Sequence, residues 1–265
     1  MIAVRLETAE KIRDLQRKLY LKAKKEPKFR FYLLHDKVWR EDILKHAYRL
    51  VRANGGAPGI DGVTLQSIEN GEGEAKFVSG IQQELEEKSY RAQAVRRVYI
   101  PKADGRKRPL GIPTIRDRVA QMAVKLVIEP IFEADFEDCS FGFRPKKDAH
   151  QAIGSVRQAL YNAHPYVLDA DVQQYFDTIA HGKLIKLIAR RISDRHILNW
   201  IKQWLNAPVV EEDEEGRRRT KRTERGVPQG GVMTPPTQYI TWSARLSGRA
   251  VTRNRMLNGQ CIRSH

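Results

Sequence analysis

The sequence has few cysteines and no long apolar run. Its two cysteines, Cys139 and Cys261, lie far apart and lack the paired spacing of metal ligands. This argues against a disulfide framework and a zinc knuckle, and it favours a reducing compartment. No apolar stretch approaches the roughly 20 residues that a membrane-spanning helix requires. The N-terminal segment is charged where a signal peptide has an apolar core. We therefore expect a cytoplasmic protein without a membrane partner.

Acidic residues are outnumbered by basic residues in the chain as a whole. The 265 residues include 48 lysines and arginines against 32 aspartates and glutamates, a formal net charge of +16. Residues 1–52 hold 15 basic and 7 acidic side chains, a local net charge of +8. Such an excess on a folded protein favours a polyanionic partner, most simply nucleic acid. A merely soluble basic surface is the alternative.

Helical patterns dominate the first part of the chain. An apolar stripe predicts a helix that is capped by Thr8 and ends before Pro27. Two further helices are predicted near residues 37–52 and 77–88. The stretch "NGGAPGIDG", residues 54–62, is dense in turn residues and is predicted to be a loop.

A β-hairpin is predicted within "RRVYIPKADGRKRPLGIP", because two strand-like runs flank the turn dipeptide Asp104-Gly105. With a two-residue turn, Lys102 lies opposite Lys107. The tip then carries four cations: Lys102, Arg106, Lys107 and Arg108. A rigid cluster of donors suits a triphosphate, and a solubilising hairpin end is the alternative.

Helices and a second hairpin are predicted further along the chain. "TIRDRVAQMAVKLVIEPIF" reads as a core helix, and Asp148 lies near the start of another. "HGKLIKLIARRI" and "RHILNWIKQWLN" are amphipathic helices. "VVEEDEEGRRRTKR" reads as a hairpin with an acidic and a basic arm. A localisation tract is the alternative for the basic arm.

The stretch "YVLDADVQQYFDTIAH" has the pattern of a strand that ends in carboxylates. Alternation places Val167, Asp169 and Asp171 on one face. Two carboxylates on one face favour a bound divalent cation, and Mg²⁺ takes one or two carboxylates together with substrate phosphates. Asp169 is alternatively a turn or surface residue, and Asp177 is predicted to cap a helix. The glycines of "GVPQGG", residues 226–231, would allow close backbone approach to a ligand, although any tight turn has this pattern.

Five motifs occur in a fixed order: "RANGGAPGIDGVT", "RRVYIPKADGRKRPLGIPTIRDRVAQ", "EPIFEADFEDCSFGFRP", "DADVQQYFDTIAH" and "GVPQGG". Together they resemble the bacterial group II intron reverse transcriptase (maturase) family, from about Thr8 to Gly231. The resemblance implies an α+β right-hand polymerase with fingers and palm and a basic, helical N-terminal extension. It divides the chain into the extension and start of the fingers (residues 1–95), an incomplete fingers–palm (96–231) and an atypical tail (232–265).

The resemblance also implies the roles of particular residues. Asp171 matches the first catalytic, metal-binding aspartate, for Mg²⁺ or Mn²⁺, and the carbonyl of Val172 would be a further ligand. Phe176 matches the aromatic residue that excludes a 2′-hydroxyl. Lys102 and Arg108 match residues that hold the incoming triphosphate, and Gln229 matches the glutamine of the nucleotide pocket. The residues expected to grip template and intron RNA lie in the N-terminal extension: Lys22, Lys24, Lys25, Lys28 and Arg30.

The sequence departs from the family pattern after Val232. The family's second carboxylate comes from a Tyr-Ala-Asp-Asp hairpin, whereas no aspartate or glutamate follows Glu224 here. Two-metal phosphoryl transfer needs that carboxylate. We therefore expect the chain to be inactive alone, with a frameshifted or degenerate tail; a divergent, RNA-binding tail is the alternative.

The leading functional prediction is an RNA-directed DNA polymerase that uses template RNA, a DNA primer and dNTPs. A non-catalytic, maturase-like RNA-binding protein is the first alternative. A reverse transcriptase of retron, diversity-generating or defence-associated type is the second.

Overall fold

The computed structural model describes residues 8–101, 105, 107–162, 164, 166, 175–212, 215, 217–227 and 232. Helices and strands follow one another along these residues: α1 (Glu10–Lys25), α2 (His35–Val38), α3 (Glu41–Asn54), α4 (Leu65–Asn70), α5 (Gly73–Glu86), β1 (Val95–Pro101), β2 (Lys107–Ile112), α6 (Ile115–Glu133), α7 (Ala149–Tyr161), α8 (Tyr175–Thr178), α9 (His181–Ile188), α10 (Arg195–Asn206), β3 (Val209–Glu212) and β4 (Arg218–Lys221). None of the described helices combines the length and the apolar character needed to cross a membrane.

Helix α6 is the centre of the core. Most of its side chains are buried on all sides, as expected of a helix enclosed by other elements. Thr114 caps it by accepting a hydrogen bond from the Asp117 N–H. Helices α1 and α3 pack against α6, and α5 packs against α3. The predicted core helix is therefore confirmed, and the basic N-terminal helices share its hydrophobic core.

The N-terminal helices differ from the prediction at their ends. Helix α1 buries Ile12, Leu19 and Ala23 as the apolar stripe predicts, but its N-cap is Ala9 without a side-chain bond, so the predicted Thr8 cap is wrong. The predicted helix over residues 37–52 is divided into α2 and α3. The cause is local, because Arg40 has an extended ψ of 135° that helical backbone cannot accommodate.

One buried arginine joins α1 to a distant part of the chain. Arg191 donates to the carbonyl oxygens of Ala23 (2.8 Å) and Glu26 (3.1 Å) at the C-terminus of α1, where the last turn of a helix leaves carbonyls without helical partners. Its Nε lies 3.0 Å from an Asp135 carboxylate oxygen. The guanidinium thus fastens α1 to the connection between α9 and α10.

One buried carboxylate fixes the start of two helices. Asp194 Oδ2 accepts from the N–H groups of Leu34 and His35 at the start of α2, each at 2.9 Å. Its Oδ1 accepts from His196 and Ile197 at the start of α10, at 2.9 and 3.4 Å. Burial alone would raise the pKa of Asp194, but these backbone bonds outweigh it and lower the pKa below the ordinary 3.8.

The described strands form one sheet in the order β2-β1-β3-β4, in which β1 runs parallel to β3 and the other pairs are antiparallel. In the β3–β4 hairpin, Glu212 lies opposite Arg218 and Glu211 opposite Arg219. The predicted pairing of an acidic with a basic arm is therefore confirmed. Its ion pair is long, at 4.0 Å between Arg218 and Glu212, and exposed, so it contributes little to stability.

Helices α7 and α8 test the predicted positions of two aspartates. Asp148 caps α7 by accepting from the Gln151 N–H at 2.8 Å, which confirms its predicted position. Asp177 lies inside the short helix α8 and caps no helix, since the N-cap of the following α9 is Ala180. The predicted Asp177 cap is wrong. None of the side chains of α7 is buried by the described residues, although Ile153, Val156 and Leu160 recur on it at helical spacing.

Candidate nucleotide and nucleic-acid site

The hairpin of β1 and β2 includes two of the predicted nucleotide-binding residues, Arg108 on β2 and Lys102 directly after β1. Its strands exist as predicted, but the register is shifted by one residue, because Lys107 lies opposite Pro101 and Arg108 opposite Ile100. The predicted pairing of Lys102 with Lys107 is therefore wrong. A two-residue turn would require it, and the observed register leaves a longer connection between the strands.

Two of the four cations lie on opposite faces of β2, because successive side chains of a strand alternate. Opposite residues of an antiparallel pair share a face, so Arg108 shares a face with Ile100 and Leu110, while Lys107 lies on the other face. Both cations are exposed. Lys102 and Arg106 lie outside the described residues.

A buried polar network anchors the base of this hairpin. Asp117, near the start of α6, is 1% exposed. It accepts from the Tyr90 hydroxyl at 2.6 Å and from the Gln93 N–H at 2.9 Å, just before β1. Tyr90 in turn accepts from the Trp204 indole of α10 at 2.8 Å. The hairpin therefore leaves the core from a fixed point between two helices.

The charges of this network are compensated locally. Burial raises the pKa of Asp117, and the hydrogen bonds from Tyr90 and Gln93 oppose that rise. Burial, followed by the adjacent carboxylate, raises the pKa of Tyr90 well above its ordinary value. Arg116 lies over the Tyr90 ring at 4.6 Å and pairs with Glu84. We did not predict this network from the sequence; its one signal was the charged "RDR" inside an otherwise apolar helix.

The loop of residues 54–62 lies against the start of α6. Arg118 donates to the Pro113 carbonyl at 2.9 Å and also to that of Ala57. Gly59 approaches α6 so closely that a Cβ would lie 2.6 Å from the Thr114 Cα. The predicted loop is confirmed. Its contacts join the motif "RANGGAPGIDGVT" to the motif "RRVYIPKADGRKRPLGIPTIRDRVAQ", because each motif contributes residues to this interface.

The predicted catalytic centre lies largely outside the described residues. Asp171, Val172 and Gln229 are not among them, and neither is the side chain of Phe176, whose backbone begins α8 with Tyr175. Within the described part of the chain, no group of three or more His, Cys, Asp or Glu side chains could hold a metal ion. The metal site and the nucleotide pocket thus remain predictions.

Two of the predicted RNA-binding lysines have intramolecular partners. Lys22 pairs with Glu26 at 2.7 Å, four residues later on α1. Lys24 donates to the Ala134 carbonyl at 3.1 Å, beyond the end of α6. A phosphate would have to compete with these partners, so both lysines are weaker candidates than their charge suggests.

The other three predicted RNA-binding residues are more available. Lys25 and Lys28 are exposed and bond to no described side chain. Arg30 is exposed and donates its Nε to the Ala189 carbonyl at the end of α9, at 2.9 Å. That bond holds the guanidinium in place while leaving its other donors for a ligand.

The sequence is similar to curated proteins, one of which is intron-encoded. It is 35% identical to Protein YkfC of Escherichia coli strain K12 over 233 residues, 84% of this chain and 58% of that protein. It is 36% identical to the group II intron-encoded protein LtrA of Lactococcus lactis subsp. cremoris over 206 residues, 77% of this chain and 33% of that protein. The chain therefore spans less than two thirds of either relative.

A solved structure and a family model agree with these relatives. The fold resembles a chain of a partial Cas6-RT-Cas1–Cas2 complex with a TM-score of 0.50 and 19% identity, over 81% of this chain and 34% of that one. The family model of reverse transcriptase (RNA-dependent DNA polymerase) matches residues 100–243, more than half of the chain. Members of this family use divalent metal ions. The chain belongs to the reverse transcriptase family, in its group II intron-encoded (maturase) branch.

Proposed function

We propose that this chain is the fingers and palm of an RNA-directed DNA polymerase of group II intron type, acting in the cytoplasm. Its substrates are template RNA, a DNA primer and dNTPs. The observation that carries the proposal is the family match over residues 100–243, which includes Asp171, Phe176 and Gln229. The chain spans 33% of LtrA, so the activity of a whole protein is part of the proposal.

The hairpin geometry supports binding of the incoming nucleotide. Arg108 is exposed on β2, and the buried Asp117 network holds the base of the hairpin. A guanidinium on a rigid strand loses little freedom when it binds phosphate oxygens. Lys102, which precedes the turn, is the second proposed phosphate ligand. Phe176 is proposed to exclude the 2′-hydroxyl of ribonucleotides.

Asp171 and the carbonyl of Val172 are the proposed ligands of Mg²⁺ or Mn²⁺. Both provide oxygen donors, which hard divalent cations prefer. When bound, the ion neutralises the charge that develops on the transferred phosphate. In this proposal the chain's own residues fix the position of the nucleotide. Two-metal chemistry also needs a second carboxylate, and none of the residues after Glu224 in this 265-residue chain is an aspartate or a glutamate.

The experiment is primer extension on an RNA template. We expect no extension by the 265-residue chain alone. A fusion that continues after Gly231 with the corresponding segment of a relative, including Tyr-Ala-Asp-Asp, should extend the primer. Asp171→Asn should abolish that activity, because an amide is a poor ligand for a hard cation. The matched control is Asp177→Asn, since Asp177 is an exposed carboxylate six residues later.

The outcomes separate the parts of this proposal. Extension by the unfused chain would show that the second carboxylate is not required. An inactive fusion that binds the template normally would count against catalysis by this palm.

A non-catalytic RNA-binding protein is the second candidate. The exposed Lys25 and Lys28 favour it, because they support binding to RNA without any role in chemistry. A retron, diversity-generating or defence-associated setting has less support, since LtrA is an intron-encoded relative.

A further inference from the structure

A basic stripe runs along the exposed face of α9 and continues into the turn that follows it. Lys183 and Lys186 are three residues apart on one side of the helix. Arg190 lies in the turn two residues beyond the end of α9, and all three side chains are exposed. None of them pairs with a carboxylate among the described residues. None of the RNA-binding residues predicted from the sequence belongs to this stripe.

Few acidic side chains accompany this stripe. Between Thr178 and Val210 the sole acidic residue is Asp194, which is 4% exposed and bonded to backbone N–H groups. Its charge is therefore committed to the helix starts of α2 and α10. Positive charge that is exposed and locally uncompensated favours a polyanion.

An exposed aromatic ring lies beside the end of the stripe. The Phe31 N–H donates to the Arg191 carbonyl at 2.8 Å, and Phe31 pairs with Ile192 as a parallel bridge. The next residue, Tyr32, is 61% exposed. Its ring centroid is 6.3 Å from that of Phe29. The segment that carries Tyr32 is thus fixed by backbone bonds, and the Phe29 ring lies beside the Tyr32 ring.

We infer that the α9 stripe and Tyr32 together bind a single-stranded segment of RNA. The inference rests on the proposed function, because it deepens the RNA binding proposed there. The cations of α9 contact successive phosphates, and Tyr32 stacks on an unpaired base. A ring that stacks on bases discriminates against double-stranded RNA, whose bases are already stacked. Arg30, held at the C-terminal end of α9 by its bond to Ala189, continues the basic surface towards Tyr32.

The charge test compares two double variants of the full chain. Lys183→Gln with Lys186→Gln removes two positive charges from the stripe. Lys76→Gln with Lys202→Gln removes two exposed charges from α5 and α10. Binding of a labelled single-stranded RNA is measured against salt concentration. The binding constant falls as salt rises, and the stripe variant should make the slope of log K against log salt less steep by about 1.4. The control variant should leave that slope unchanged.

The stacking test uses neighbouring residues of similar exposure. Tyr32→Ala should weaken binding of single-stranded RNA about tenfold, and Tyr32→Trp should restore it. Leu33→Ala is the control, because Leu33 is 64% exposed and has no ring. Single-stranded DNA and a blunt RNA duplex are probed in parallel, and neither comparison requires polymerase activity.

Each outcome decides between the proposals. If the wild-type chain binds no RNA, both the inference and the proposed RNA binding are wrong. If it binds RNA and the α9 and Tyr32 variants bind equally well, only the inference is wrong. If Tyr32→Ala weakens the binding of the RNA duplex as much as that of single-stranded RNA, the stacking role of Tyr32 is contradicted.

Discussion

The closest backbone approach among the described glycines occurs at Gly59, where the loop of residues 54–62 meets α6. A Cβ at this position would lie 2.6 Å from the Thr114 Cα and 2.8 Å from its N, and backbone atoms cannot move aside as a flexible side chain can. We expect Gly59→Ala to lower the free energy of unfolding by about 1–3 kcal/mol. Urea denaturation measures this.

Gly80 provides the matched control for that substitution. It lies inside α5 with nothing within 4 Å of an added Cβ. Gly80→Ala should raise the free energy of unfolding by about 0.5–1 kcal/mol, because alanine is the better helix former. Equal effects at the two positions would show that Gly59 is not packed as described.

Single residues differ in how well the sequence predicts them. The Asp148 cap was predictable because an N-cap acts on residues within one turn of it. The contacts of Asp117 were not, because its partners Tyr90 and Gln93 precede it by 27 and 24 residues. Only the packing of the whole core brings them together.

Asp194 acts at the scale of elements, since it holds the starts of both α2 and α10. Asp194→Ala should lower the free energy of unfolding by about 2–4 kcal/mol, the combined effect of two caps with a charged acceptor. Asp148→Ala is the control and should cost about 1 kcal/mol or less, because Asp148 caps the exposed helix α7 alone.

The effect of Asp194 should also depend on pH. Its pKa is lower in the fold than its ordinary value of 3.8, so its stabilising effect is present above that value and is lost as the pH falls through the folded pKa. The difference between wild type and Asp194→Ala should thus be constant near neutral pH and shrink below about pH 4. Urea titrations between about pH 3 and 7 test this, and a constant difference would contradict the assigned bonds.

Elements were predictable where their pattern was local. The helices of "TIRDRVAQMAVKLVIEPIF" and "RHILNWIKQWLN" follow from apolar periodicity. The first hairpin follows from its turn residues, and the second follows from its acidic and basic arms. The hairpin register was not predictable, because it depends on the length of the connection rather than on the Asp-Gly signal. The start of α2 was not predictable either, because it is held by Asp194, which lies 160 residues away from Leu34.

At the scale of the whole molecule, the basic N-terminal helices belong to the hydrophobic core. Deleting residues 1–52 would remove buried side chains of α1 and α3, including Ile12, Leu44 and Tyr48. We expect the deletion variant to show no cooperative unfolding transition. In contrast, the double variant Lys25→Gln, Lys28→Gln should unfold at the same temperature as the wild type. Its slope of log K for RNA binding against log salt should be less steep by about 1.4.

Calorimetry and binding measurements on the two variants separate charge from folding. A deletion variant that melts cooperatively and keeps its remaining structure would show that these helices are dispensable. An unchanged slope in the lysine variant would remove Lys25 and Lys28 from the RNA-binding surface.

The family and the α+β fold could be predicted from the sequence, because ordered motifs identify a polymerase body before any contact is known. Asp171 and Gln229 were assigned by the same resemblance and stay predictions. The basic stripe of α9 was missed, because Lys183 and Arg190 look like the ordinary solvated face of an amphipathic helix until the exposed Tyr32 is placed beside them.

The bond between Arg191 and the end of α1 has a consequence for biosynthesis. Arg191 and Glu26 are 165 residues apart in sequence. A ribosome adds about 5–20 residues per second, so the last turn of α1 waits on the order of 10–30 s for its partner. During that interval the Ala23 carbonyl is without its Arg191 donor, although α6, against which α1 packs, has already been synthesised. The order of synthesis therefore allows α1 to pack on α6 first, and Arg191 joins that pair to the connection between α9 and α10 later.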